Sequence, residues 1–121
     1  MYEILVKGDF SSAHNLIGYK GKCEELHGHS WKVEARFEKG SLDGIGIAID
    51  FTILKARLRD ILKELDHKHL NKVSAFRAQN PSAENISRFI YERLKKTTKE
   101  KGLILKSVSV WESDTSCATY Y

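Results

Sequence analysis

Apolar and polar residues alternate along two early stretches of the chain. Tyr2, Ile4, Val6 and Phe10 interleave with Glu3, Lys7 and Asp9, which predicts a strand over residues 2–13. After the loop "NLIGYKGKCEEL", Trp31, Val33, Ala35 and Phe37 alternate with Lys32, Glu34, Arg36 and Glu38, predicting a second strand with one dry face. "KGSLDGIG" has the composition of a turn. The spacing then lengthens to that of a helix. Leu54, Leu58, Ile61, Leu62 and Leu65 form one apolar stripe behind Asp50, a suitable N-cap, so a first helix is expected to end near Leu65. In "NPSAEN", Pro81 and Ser82 open a second helix, whose stripe is Ala83, Ile86, Phe89, Ile90 and Leu94 and whose expected stop is Gly102. Residues 103–112 and 116–121 return to strand character around the turn "SDTS".

Two strands, two helices and two strands in that order predict an α+β fold. Its four-stranded antiparallel sheet carries both helices on one face. The length of 121 residues, with no linker or repeat, fits a single domain over 1–121. A sheet this small leaves two edges to protect. Joining edges between subunits into a closed barrel removes them, so a homo-oligomer is expected.

Composition narrows the partners. The net charge is +4, but 16 acidic residues are interspersed among the 20 basic ones. That mixture, without a basic stripe carrying interleaved aromatics, argues against nucleic acid and mildly favours small anions. No apolar run approaches a membrane span. The N-terminal "MYEILVKGDF" reads as strand and not as a signal peptide, so a cytoplasmic location with Cys23 and Cys117 reduced is expected.

The second strand carries an oddity at its start. His27 and His29 share a face with Trp31, Val33 and Phe37, and Gly28 between them leaves room for close approach. His14 ends the first strand, the natural neighbour of the second in a meander. A lone strand histidine is ordinarily a hydrogen-bonded core residue. Three neutral imidazoles converging at strand ends can instead bind zinc and leave a fourth position open, as catalytic zinc sites do.

The chain resembles the 6-pyruvoyl-tetrahydropterin synthase and 6-carboxy-tetrahydropterin synthase family along essentially its whole length. "FSSAH" (10–14) is similar to the first zinc-histidine motif, and "CEELHGH" (23–29) to the cysteine followed by the H-G-H ligands. "LDHKHLN" (65–71) resembles the Asp-His motif, "NPSAEN" (80–85) the opening of the second helix, and "WESDTSCATYY" (111–121) the closing motif with its pterin-anchoring glutamate. The resemblance implies a tunnelling fold, in which trimers form a β-barrel and stack into a homohexamer. It also implies Zn2+ held by His14, His27 and His29, and 7,8-dihydroneopterin triphosphate as substrate.

The same resemblance implies roles for other residues. Cys23 would be the base, its thiol acidified by nearby cations, and Asp66 and His67 would complete a catalytic triad, the carboxylate fixing the imidazole's tautomer. Glu112 would anchor the pterin, because its carboxylate can accept both hydrogens of an amidine-like edge. Lys20, Lys22 and Arg77 are candidate cations for the triphosphate, while Cys117 reads as structural and His69 as a surface residue.

Glu24, directly after Cys23, departs from the simplest pattern. A glutamate at that spacing resembles a variant that releases 6-hydroxymethyl-dihydropterin for folate, whereas the cysteine spacing resembles the 6-carboxy-tetrahydropterin synthases of queuosine and archaeosine (7-deazaguanine) biosynthesis. The expected function is therefore a zinc-dependent lyase making 6-carboxy-5,6,7,8-tetrahydropterin. The alternatives are a 6-pyruvoyl-tetrahydropterin synthase of tetrahydrobiopterin biosynthesis, a dual activity with Glu24 as acid or base, or a non-catalytic zinc- and pterin-binding module.

Overall fold

The computed structural model describes residues 1–19, 21 and 25–121. Strands β1 (Tyr2–His14) and β2 (His27–Lys39) are followed by helices α1 (Phe51–Leu62) and α2 (Ala83–Thr97), then by β3 (Ile104–Ser113) and β4 (Ser116–Tyr120). Two short 3-10 turns, Leu70–Lys72 and Ser74–Phe76, lie between the helices. The sheet is antiparallel in the order β1-β2-β3-β4. This is the expected α+β layer, with β1 and β4 at its edges.

Period-two patterning sets the sheet's dry face. Trp31, Val33, Ala35 and Phe37 of β2 are fully buried, as are Val108 and Val110 of β3. Leu54 and Leu58 of α1 and Ile86, Ile90 and Leu94 of α2 belong to the same core. Gly8 occupies an inward position of β1 where a Cβ would lie 2.8 Å from a Leu62 methyl carbon. The missing side chain is what lets α1 sit close to the strand.

Both helices begin as their sequences suggest. The Asp50 carboxylate accepts from the Thr52 N–H at 2.9 Å, and the Ser82 hydroxyl accepts from the Asn85 N–H at 3.2 Å. Their ends differ from expectation. Helix α1 stops at Leu62, and Leu65 is buried from a turn beyond it. Helix α2 stops at Thr97, where Thr98 N–H caps the Leu94 carbonyl at 3.0 Å; Gly102, with φ +78°, forms the later turn into β3. Side-chain hydroxyls stop α2 first, since those of both Thr97 and Thr98 bond the same Leu94 carbonyl.

The segment after α1 covers part of β1's outer edge. His67 N–H donates to the Ser11 carbonyl at 2.7 Å, and Ala13 N–H donates to the Lys68 carbonyl at 3.0 Å. His67 takes a left-handed backbone (φ +54°), uncommon for a residue with a Cβ, and so turns the chain along the strand. No helix among the described residues is long and apolar enough to cross a membrane.

Candidate active site

Strand register builds the centre of the site. His14 pairs directly with His27, Ser12 with His29, and Phe10 with Trp31. These positions all face the helices, so three imidazoles gather at the end of the core above the buried indole of Trp31. The Trp31 ring lies edge-on to His14 and His29, with centroids 4.9 and 5.1 Å away.

Glu112 reaches the cluster from β3. The pairs Trp111–Cys117 and Ser113–Ser116 leave it as the extra residue of a β-bulge, a device that re-aims a side chain. One potential ligand atom from each of His14, His27, His29 and Glu112 lies within 4.8 Å of all the others.

Backbone carbonyls decide which imidazole nitrogens face inward. His14 Nδ1 is 2.8 Å from the Pro81 carbonyl, and His27 Nδ1 is 2.7 Å from that of Glu25. A carbonyl only accepts, so in the neutral ring each Nδ1 carries the proton and each Nε2 presents a lone pair. Those two Nε2 atoms face each other at 3.0 Å. Two lone pairs at that separation repel unless a cation lies between them. His29 Nε2 is buried and has no hydrogen-bond partner among the described residues; Glu112 Oε1 is 3.1 Å away but misaligned for a hydrogen bond. A repelling pair and an orphaned nitrogen are what a metal cation resolves, so the donor set fits one.

The electrostatics agree. Burial holds the His14 and His29 imidazoles below the usual histidine range, opposed by the Glu112 charge and, at His14, by the Pro81 carbonyl. Both rings are therefore neutral at pH 7, the form that ligates. Beside them Glu112 opens into a cleft of about 360 Å³ that Ala83, Glu84, Ser116, Cys117 and Ala118 complete. Another cleft, of about 400 Å³, lies on the helix-free face among Lys7, Asp9, Lys32, Glu34 and Trp111, away from the imidazoles.

Residues 3–121 match the family model for 6-pyruvoyl tetrahydropterin synthase. The chain belongs to the 6-pyruvoyl tetrahydropterin synthase family. Among its relatives is 6-carboxy-5,6,7,8-tetrahydropterin synthase of Synechocystis sp., 35% identical over all of this chain and 94% of that protein. Another is dihydroneopterin monophosphate aldolase of Pyrococcus furiosus, 36% identical over 92% of this chain and 90% of that protein. The solved structure of Caenorhabditis elegans 6-pyruvoyl tetrahydropterin synthase superposes with a TM-score of 0.87 at 26% identity, covering 98% of this chain and 94% of that one.

Within the family fold, the expected site residues divide into three groups. His14, His27, His29 and Glu112 come together. Asp66 and His67 pair with each other, Oδ2 to Nδ1 at 2.9 Å, but on the outer edge of β1, where Asp66 Oδ1 also accepts from Ser11 N–H at 2.8 Å. The Ser11 N–H, and next the His67 contact, hold the Asp66 carboxyl below the usual carboxylate range. Cys23, Glu24, Lys20 and Lys22 lie outside the described residues.

Two expectations need correction. Cys117 is exposed on edge strand β4 and lines the Glu112 cleft, because alternation along β4 turns Ala118 and Tyr120, and not Cys117, toward the core and α2. His69 is half-buried, bridges to Ala13 and places Nε2 3.3 Å from Asn15 Oδ1. Sequence reasoning missed the Pro81 and Glu25 carbonyls, since backbone acceptors carry no residue-type signal. It read Asn80 only as part of a helix opening.

Proposed function

We propose that the chain, as one pterin synthase-like domain over 1–121, is a zinc-dependent lyase. It would convert 7,8-dihydroneopterin triphosphate to 6-carboxy-5,6,7,8-tetrahydropterin. The observation that carries this reading is the pair of Nε2 lone pairs 3.0 Å apart beside a carboxylate-bearing cleft. The name and 35% identity of the Synechocystis relative support the product.

His14, His27 and His29 would hold the zinc through Nε2. A zinc ion there supplies Lewis acidity, acidifying O–H and C–H bonds of the substrate's three-carbon side chain. The chain's own residues do the rest. Glu112 accepts two hydrogen bonds from the pterin's amidine-like edge, which orients the ring so that its tail runs toward the imidazoles. Cys23 takes a side-chain proton as thiolate. Asp66 holds the Nδ1 proton of His67, leaving Nε2 to relay protons. That dyad is exposed on the segment that covers the His14 end of β1's outer edge, on the side where barrel closure would bring a neighbouring subunit. It is therefore assigned to a site shared across the junction of a homohexamer built as a dimer of trimers. A monomeric mass by light scattering would count against the assembly.

One observation favours a second reading, side-chain cleavage to 6-hydroxymethyl-dihydropterin. Glu24 offers a carboxylate next to Cys23, and the Pyrococcus relative is named an aldolase. The candidate products differ in how much of the side chain they keep, so mass separates them. Zinc-loaded protein is incubated with dihydroneopterin triphosphate, and separately with the monophosphate, and the products are identified by mass spectrometry. The carboxylated product is expected. A 6-pyruvoyl or 6-hydroxymethyl product replaces the main reading, and no turnover with zinc bound leaves only a binding module.

A further inference from the structure

The loop after His14 is held by two asparagine side chains that imitate β-ladder rungs. Asn71 accepts from Asn15 N–H at 3.0 Å and donates to the Asn15 carbonyl at 2.8 Å. Asn80 does the same at Ile17, with distances of 2.8 and 2.9 Å. The two clamps look alike but connect differently. Asn80 directly precedes Pro81, whose carbonyl bonds His14 Nδ1. The Asn80 carbonyl in turn accepts from Asn85 Nδ2 at 2.8 Å, and Asn85 N–H is bonded to the α2 cap Ser82. Consecutive residues 80 and 81 thus grip Ile17 and His14 from a base anchored in α2.

We propose that Asn80 is a positioning residue for the metal site. Its amide clamp on Ile17, braced by Asn85, fixes the Pro81 carbonyl against His14 Nδ1 and so selects the His14 tautomer and ring angle that aim Nε2 at the metal. Proline contributes no N–H with which to hold that peptide, so the grip falls to the preceding residue. Asn71 holds the same loop at Asn15, the residue next to His14, but is not joined to the peptide whose carbonyl bonds the His14 ring, so it serves as the control for backbone position alone. The inference rests on the zinc reading only for its functional consequence; the tautomer is a property of the metal-free chain.

Asn80→Asp is nearly isosteric and keeps the acceptor for Ile17 N–H, but sets an anionic oxygen against the Ile17 carbonyl where the donor stood. Nitrogen-15 NMR of metal-free protein at neutral pH reads the imidazoles first. Wild type and Asn71→Asp are expected to show a slowly exchanging His14 Nδ1–H. Asn80→Asp should lose it while keeping that of His27. Competition with a chelator for Zn2+ then follows, with a tenfold or greater loss of affinity expected for Asn80→Asp and less than threefold for Asn71→Asp, in line with partners that orient metal ligands. Retention of the His14 Nδ1–H in Asn80→Asp, or equal affinity losses in both variants, would overturn the proposal. Wild type that binds no zinc would instead fail the metal reading, since the tautomer result stands without metal.

Discussion

Replacing Glu112 with glutamine separates the two roles its position allows. The carboxylate is 3.1 Å from His29 Nε2, close enough to be a fourth ligand, yet it also opens into the adjoining cleft. If it anchors the pterin, glutamine keeps one acceptor oxygen and turns an amide donor toward a ring donor. One charge-assisted hydrogen bond is lost, worth about 1.5–3 kcal/mol when well sheltered. The Glu112 side chain is 33% exposed, so the lower part of that range applies. A loss of about 1.5–2 kcal/mol weakens pterin binding by about 10–30-fold. Zinc affinity should change by less than about threefold, because all three Nε2 ligands remain. Fluorescence titration of zinc-loaded protein with a pterin, and chelator competition without it, measure the two numbers. A third readout follows from charge. Glu112 opposes the depression of both the His14 and His29 pKa values, so in metal-free Glu112→Gln both rings should titrate at lower pH than in wild type. A tenfold loss of zinc affinity with pterin binding intact would refute the anchor assignment and make the carboxylate a metal ligand.

Other perturbations test separate parts of the structure. Cys23→Ala should keep zinc and pterin binding but lose turnover by at least about 100-fold, as expected for removal of a general base; normal turnover would dismiss the assignment. Glu100 forms a two-bond pair with Arg57, one bond at 3.0 Å, that lowers its pKa from 4.5 to about 2. The folded value lies below the unfolded one, so this stability is present above pH 4.5 and disappears as pH falls toward 2. Discounted for partial exposure, Glu100→Gln should cost about 1–2 kcal/mol at pH 7 and almost nothing near pH 2, measured by urea unfolding at both. Gly8→Val should destabilise by about 1–3 kcal/mol, since its side chain meets Leu62 and Leu58; an unchanged Tm would show that α1 moves freely over the sheet.

Much of the fold was legible because it is written in periodicity. Alternation along β1 and β2 required one dry face, and a helical stripe behind Asp50 and another behind Ser82 required something to cover it. The same alternation put His27 and His29 on the Trp31 face before any pairing was known. Helix ends were less legible. Leu65 continues the stripe of α1 although the helix has stopped, since burial requires only that a side chain reach the core.

By itself, the order of residues determined the layer architecture, the shared face of the histidines and the family. The first two follow from spacings of a few residues, where backbone geometry dictates which way a side chain points; the family rests on the resemblance of whole motifs along the chain. Only tertiary structure decided that His14 stands opposite His27, that a bulge turns Glu112 toward His29, and that Pro81 and Glu25 carbonyls choose the inward nitrogens. It also decided that Asp66 and His67 face outward along β1. Each of these depends on strand register or on a backbone acceptor from a distant segment, and neither is encoded in any one residue's identity.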